Sequence, residues 1–284
     1  LSVGNGTVAL DVARCLRSDP ADLAKTGSAQ VALDAIAEAR ITEVVVLGRR
    51  GPTHAAFTRP ELLMMPPGVD VEIHADPDTE AELINAEPGS KAALLAQLKR
   101  REVDLNAVPD LGRRVVFVFG AQVTEFEGAE RVTHTHMSTP AGTFSVPTDT
   151  VIRSIGHKGS PIKHLPFDDQ TGTVPHESGR VVDRETGLAV PGAYVVGWIK
   201  RGAQGGIGVN RADAQETILT LLADFDAVPR QTSVGSAWAF KRFIKRKAPY
   251  LVSRRAMRKL DEAERKAGTA LGRPRFKRAN EPTA

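Results

Sequence analysis

Apolar positions in the first fifty residues recur in two rhythms. Val8, Ala9, Val12, Ala13 and Leu16 repeat at helical spacing and predict a helix from about Thr7 to Leu16 with these residues on one face. Ser18-Asp19-Pro20 ends it, and a second helical run is expected over 29–40. Glu43-Val44-Val45-Val46-Leu47-Gly48 is different, because its apolar run is continuous. Such a run predicts a parallel strand buried on both faces. Leu1-Ser2-Val3 reads as the end of another strand just before a glycine loop. The order is strand, loop, helix, break, helix, strand.

Further along, strand-like runs are expected at 69–74, 114–119 and 131–136, with a helix at 91–101. Two more strand-like runs fall at 150–155 and 193–197, followed by a glycine-rich loop and a helix over about 211–224. Strands separated by helical stretches place the chain in the α/β class.

Composition narrows the picture. Hydrophobic residues make up 41% and charged residues 25%, as in an ordinary globular protein. No run approaches the ~18 apolar residues of a membrane span, and no basic segment followed by an apolar run marks a signal peptide. One cysteine, Cys15, cannot form an internal disulfide, so the cytoplasm is the expected location. The chain opens on Leu1 without a methionine, three residues before its first glycine loop, and is expected to be a fragment. Net charge is +4, but residues 241–278 carry fifteen Lys/Arg against three Asp/Glu, or +12, and the remainder −8. A basic segment on an acidic body points to an anionic partner.

Gly4-Asn5-Gly6-Thr7-Val8-Ala9 is a G-x-G-x-x-A loop between a strand and a helix. The first glycine permits the tight turn, the second lets backbone approach a pyrophosphate, and the small third position lets helix and strand pack. The pyrophosphate would sit on free N–H groups at the helix N-terminus. The plain alternative is a tight turn without ligand. The next parallel strand ends Gly48-Arg49-Arg50-Gly51-Pro52. An NAD site carries an acid there. Arginines can instead grip a 2′-phosphate bidentately, which predicts NADP; a solvated basic turn is the alternative. Thr58-Arg59-Pro60-Glu61 reads as a capping box, with Thr58 at the N-cap and Glu61 at the third helical position.

The strand Ala193–Gly197 ends at Trp198 and leads into Ile199-Lys200-Arg201-Gly202-Ala203-Gln204-Gly205-Gly206-Ile207-Gly208. Four glycines within seven residues suit backbone pressed against a flat ring; a surface loop is the alternative. His134 and His136 share one face of a strand, but no third metal ligand is evident. Cys15 is read as a packing residue. Hydrolase and dithiol motifs are absent.

Taken together, GNGTVALDVARCL (4–16), VVVLGRRGPTHAAFTRPEL (44–62), VIRSIGHKGSPI (151–162), GRVVD (179–183), VPGAYVVGWIKRGAQGGIGVNRADAQETI (190–218) and GRPRFKR (272–278) resemble ferredoxin–NADP reductases of the adrenodoxin-reductase type. The resemblance implies a flavoprotein with two dinucleotide sites: a Rossmann-like NADP-binding domain at 1–149, the C-terminal part of an FAD domain at 150–228, and a basic segment at 229–284. It implies NADP contacts at Gly4, Asn5, Gly6, Thr7, Val8 and Ala9, 2′-phosphate contacts from Arg49 and Arg50, and a nucleotide contact from Glu61 beside its capping role. Trp198, Gly205, Gly206 and Ile207 would lie along the flavin. An N-terminal FAD-binding strand–loop–helix is missing from the match, and Ala203-Gln204-Gly205-Gly206 stands where the family has Pro-Thr-Gly-Val.

The expected function is hydride transfer from NADPH to FAD and single-electron transfer to an acidic ferredoxin-type iron–sulfur protein. No acid–base residue and no metal are required. A non-catalytic NADP-binding remnant is the alternative. A glutamate-synthase-like reductase subunit is a third option, but iron–sulfur relays need several cysteines. Nucleic acid is not an expected partner, since stacking aromatics and recognised motifs are absent.

Overall fold

A computed structural model of the chain describes residues 1–108, 112–203, 207–227 and 236–277. In chain order the elements are β1 (Ser2–Val3), α1 (Thr7–Arg17), α2 (Pro20–Ala24), α3 (Gln30–Ala39), β2 (Glu43–Leu47), a 3-10 turn (Pro52–His54), α4 (Arg59–Leu63), β3 (Asp70–His74), α5 (Pro77–Ile84), α6 (Lys91–Leu95), β4 (Lys99–Arg101) and β5 (Arg114–Val118). Then follow β6 (Gln122–Glu127), β7 (His134–Thr139), β8 (Gly142–Pro147), β9 (Ile152–Arg153), β10 (His176–Glu177), β11 (Arg180–Val182), β12 (Ala189–Tyr194), α7 (Trp198–Arg201), α8 (Ile207–Ala227), α9 (Ala237–Lys247) and α10 (Arg254–Ala270). They form two compact units: Leu1–Ile155 with the chain from Tyr250 onward, and Gly156–Pro249.

The first unit is built on a six-stranded sheet in the order β4-β3-β5-β2-β1-β9, with every pair parallel. Short as it is, β1 lies between two neighbours, with Ser2 opposite both Val46 and Ile152. β2 is buried on both faces, as its continuous apolar run requires. Val44 and Val46 join Ala9, Leu10 and Ala13 of α1, Ile73, Val115, Phe117 and Phe57 on one side. Val45 and Leu47 join Val116, Val118, Met137 and Val146 on the other. That second face is covered by the antiparallel sheet β6-β7-β8. Each valine, leucine, isoleucine, methionine or phenylalanine among them taken fully from water contributes roughly 1.5–3 kcal/mol.

Helix α1 is rotated from the expected face. Its buried residues are Ala9, Leu10, Ala13 and Arg17, while Val8 is 44% exposed. Arg17 is buried because its guanidinium donates to the carbonyls of Ile41 and Gly112, tying together the chain before β2 and the chain before β5. The expected helix at 91–101 divides into α6 and β4, whose Lys99 and Arg100 face Glu72 and Ile73 across a parallel edge pairing. β6 and β8 carry no sequence signal, because most of their residues are exposed or only partly buried and do not alternate cleanly.

The chain from α10 packs within the first unit. Gly268 lies against the backbone of Arg275, where a Cβ would meet its Cα at 2.6 Å. Arg273 donates to Gln30 Oε1 (2.9 Å) and the Ser28 carbonyl (2.6 Å), holding the end of the chain to the start of α3.

The second unit has a three-stranded antiparallel sheet, β10-β11-β12, around a small core of Val174, Val181 and Val195. Helix α8 leaves Ile218, Leu219, Leu222 and Phe225 exposed. Helix α9 has no buried residue, and its Phe243 is 47% exposed.

Candidate functional site

In the first unit the site begins at the corner between β1 and α1. Gly4 has φ +106°, and a side chain there would lie 2.4 Å from the Ser154 carbonyl oxygen on β9's flank. Only glycine accepts both conditions. Its N–H donates to Leu47 O at 3.1 Å, joining the corner to β2. Gly6 is the N-cap of α1, and a Cβ there would meet nothing nearer than Ala56 Cβ at 3.9 Å. The space above it is open.

The N-terminus of α1 has no side-chain cap and no acidic residue in its first turn, and Thr7 and Val8 are exposed. Its first N–H groups and the positive end of its dipole therefore face outward, which suits an anion. Ala9 is fully buried on the sheet. Asn5 is buried, and its side chain turns to the protein: Oδ1 accepts the Ala56 N–H at 3.3 Å.

The end of β2 lies beside this corner. Gly48 N–H donates to Val118 O (2.8 Å), and Gly48 O accepts from Ala121 N–H (3.0 Å). Arg49 and Arg50 follow, both exposed, with no side-chain hydrogen bond or ion pair among the described residues. Thr58 caps α4, and Glu61 Oε2 accepts both its N–H (2.8 Å) and its hydroxyl. The capping role of Glu61 is thus present in the fold.

In the second unit, β12 leads to Gly197 (φ +77°), the N-cap of α7. Trp198 is 44% exposed and stacks on His157, centroids 6.1 Å apart. Behind it Lys200 is buried, with Nζ 2.9 Å from Asp213, 2.5 Å from Glu216 and 3.1 Å from Thr217 Oγ1. Burial opposes the charge on Lys200, but the carboxylates of Glu216 and Asp213 outweigh it and hold its pKa above the usual lysine range. Burial likewise opposes the Asp213 charge, and Lys200 with the Gly197 N–H (2.6 Å) outweighs it, so the Asp213 pKa is lowered. Gly205 and Gly206 lie outside the described residues, as does the side chain of Ile207, whose backbone opens α8.

Sequence reasoning passed over Gly48, His157 and this buried lysine network. A single sequence does not distinguish a buried lysine from a solvated one. The signal that existed was Asp213, Glu216 and Thr217 at i, i+3 and i+4, one face of a helix.

A strand, a glycine corner, a helix with an open N-terminus and the basic end of the adjoining parallel strand define a Rossmann-like α/β unit. The chain is 38% identical over 286 residues to a probable ferredoxin/ferredoxin–NADP reductase of Mycobacterium tuberculosis, covering 97% of this chain and 49% of that one. It is 36% identical over 303 residues to the NADPH-ferredoxin reductase FprA of the same organism, covering 98% and 64%. The solved structure of FprA in complex with NADPH superposes with a TM-score of 0.78 at 34% identity, again over 98% and 64%. No protein-family model matches the chain. The chain is therefore a homologue of ferredoxin–NADP reductases along nearly its whole length, and spans between about half and two thirds of theirs.

Proposed function

We propose that this chain carries the NADPH-binding site and part of the flavin site of a ferredoxin–NADP reductase. The observation that carries the reading is the pairing of an uncapped, acid-free helix N-terminus with two exposed arginines, without a side-chain partner among the described residues, at the end of the next parallel strand. In this reading Gly4, Asn5, Gly6, Thr7, Val8 and Ala9 hold the pyrophosphate, through backbone N–H groups and the open space over Gly6. Arg49 and Arg50 grip the 2′-phosphate, and Glu61 adds a nucleotide contact beside its capping bonds. In the same reading Trp198, Gly205, Gly206 and Ile207 lie along the flavin. When bound, FAD accepts a hydride from the nicotinamide and releases electrons singly; that chemistry is the cofactor's, and the protein supplies position.

The partner in this reading is an acidic ferredoxin-type iron–sulfur protein that meets the basic C-terminal residues. No helix among the described residues is long and apolar enough to cross a membrane. A cytoplasmic location is part of the same reading, resting on the single free thiol of Cys15.

The exposed apolar residues of α8 favour a second reading, in which the chain binds NADP but does not complete a flavin site by itself. The visible absorption spectrum of the purified chain after incubation with FAD, followed by NADPH titration, separates them. Bound flavin and NADPH oxidation support the reductase. NADPH binding without flavin supports the second reading, and absence of NADPH binding removes both.

A further inference from the structure

Beyond the arginines, the turn that carries them is fastened by an acid from another helix. Glu82 lies on α5, and its Oε2 accepts the Thr53 N–H at 3.0 Å and the Thr53 hydroxyl at 2.7 Å. Gly51 makes room for it: a Cβ at Gly51 would stand 1.8 Å from Glu82 Oε1 and 2.5 Å from Oε2. On the opposite flank the turn is held by backbone, through Gly48 N–H to Val118 O and Gly120 N–H to Arg50 O (3.4 Å). Arg49 and Arg50 thus sit on a short span anchored at both ends, while their side chains reach into solvent.

We propose that Glu82 is a positioning residue for 2′-phosphate recognition: it fixes the Gly51–His54 turn so that Arg49 and Arg50 are presented to the phosphate before the cofactor arrives. This rests on the NADP reading above. Flexible residues ordered only on binding oppose it, and a turn already fixed spares that cost. The carboxylate also has a contrary effect, because a negative charge near a phosphate repels it. The two effects predict opposite outcomes for removing Glu82, which makes the proposal testable.

The test compares 2′,5′-ADP with 5′-AMP as probes by calorimetry on the whole chain. The wild type should bind 2′,5′-ADP more tightly; equal affinities would remove the NADP reading itself, independently of Glu82. Glu82→Ala should weaken 2′,5′-ADP about tenfold and leave 5′-AMP within about twofold, in keeping with one lost tether. Glu82→Gln removes the charge but keeps an acceptor, and should stay within about threefold of wild type. Gly51→Ala keeps the charge but displaces the carboxylate from its place, and should resemble Glu82→Ala. Melting temperatures report any general loss of fold, which would weaken both probes alike. The proposal is overturned if Glu82→Ala binds 2′,5′-ADP as tightly as wild type or more tightly, or if both probes weaken equally.

Discussion

The side-chain amide of Asn5 stands over Gly48: a methyl group at Gly48 would lie 2.6 Å from Asn5 Nδ2 and 2.9 Å from the Phe119 ring. Through Oδ1 the same side chain takes the Ala56 N–H. One residue of the first glycine corner therefore braces both the end of β2 and the loop that follows. Asn5, expected from sequence as a cofactor contact, is in its side chain a brace between two loops.

Two glycine substitutions follow from this packing. Gly4→Ala combines a positive φ with a clash against backbone that cannot move aside, and should cost about 2–4 kcal/mol of stability. Gly48→Ala meets the Asn5 and Phe119 side chains most closely, with the Arg50 carbonyl oxygen further off at 3.3 Å, and should cost less, about 1–3 kcal/mol. Urea denaturation of the two variants gives the ranking. A Gly4→Ala protein as stable as wild type would show that the corner is looser than its geometry implies.

Neutralising Arg49 and Arg50 together should weaken NADPH binding and leave NADH nearly unaffected. Each charge-assisted bond to the phosphate contributes about 1.5–3 kcal/mol. An unchanged NADPH-to-NADH affinity ratio in the double variant would assign these arginines to a solvated turn.

Asp213 and Lys200 form a pair whose side chains are only 7% and 2% exposed. Removing Asp213 leaves the buried Lys200 with the half-exposed Glu216 as its ion-pair partner and frees the Gly197 N–H, so Asp213→Ala should destabilise by about 1–3 kcal/mol. Lys200→Met with Asp213→Ala should cost less than the sum of the single changes. Trp198 fluorescence, read in a Trp238→Phe background, should change with Asp213→Ala because its carboxylate anchors the Gly197 N–H that starts α7. Additive energies with an unaltered Trp198 signal would count against the coupling.

Asp224 accepts two bonds from Arg180 (2.6 and 2.7 Å) and one from the Tyr194 hydroxyl (2.8 Å), which bring its pKa down to about 2. The folded pKa lies below the unfolded value of about 3.9. Its contribution is therefore present above about pH 4 and lost as pH falls towards 2. The Tyr194 pKa is raised, first by its bond to Asp224, so that contribution holds below about pH 10 and is lost as pH rises through the folded value. Asp224→Asn should flatten both limbs of a stability-against-pH curve. A curve with the same acid limb as wild type would place the acid sensitivity elsewhere.

The cations Lys241, Arg242, Lys245, Arg246 and Lys247 of α9 are exposed, whereas Arg265 and Arg275 are engaged by Asp261, and Arg275 also by Glu264. Binding of an acidic ferredoxin to the chain should weaken steeply with added salt, since exposed charges are screened over about 8 Å at physiological ionic strength. Charge reversal at Lys245, Arg246 and Lys247 should weaken it further at low salt and leave NADPH binding unchanged. Equal ferredoxin affinity for variant and wild type at low salt would return these residues to a solvated helix face.

Local requirements made much of this protein legible from its sequence. A glycine at φ +106°, a run of four apolar residues buried on both faces, an N-cap threonine three residues before a glutamate, and paired arginines at a strand end each depend on only a few neighbouring residues. Tertiary structure decided the rest, because partners far apart in sequence settle burial and pairing. β5 takes its place between β2 and β3, and β9 joins β1 from about 150 residues away. Which face α1 buries was fixed by the sheet beneath it, not by its own periodicity, and so Val8 lies open beside the helix N-terminus. Lys200 is buried only because three groups on α8 converge on it. Glu82 reaches Thr53 across 29 residues, a contact with no local signature, since a carboxylate finds its donors through the packing of the helix that carries it.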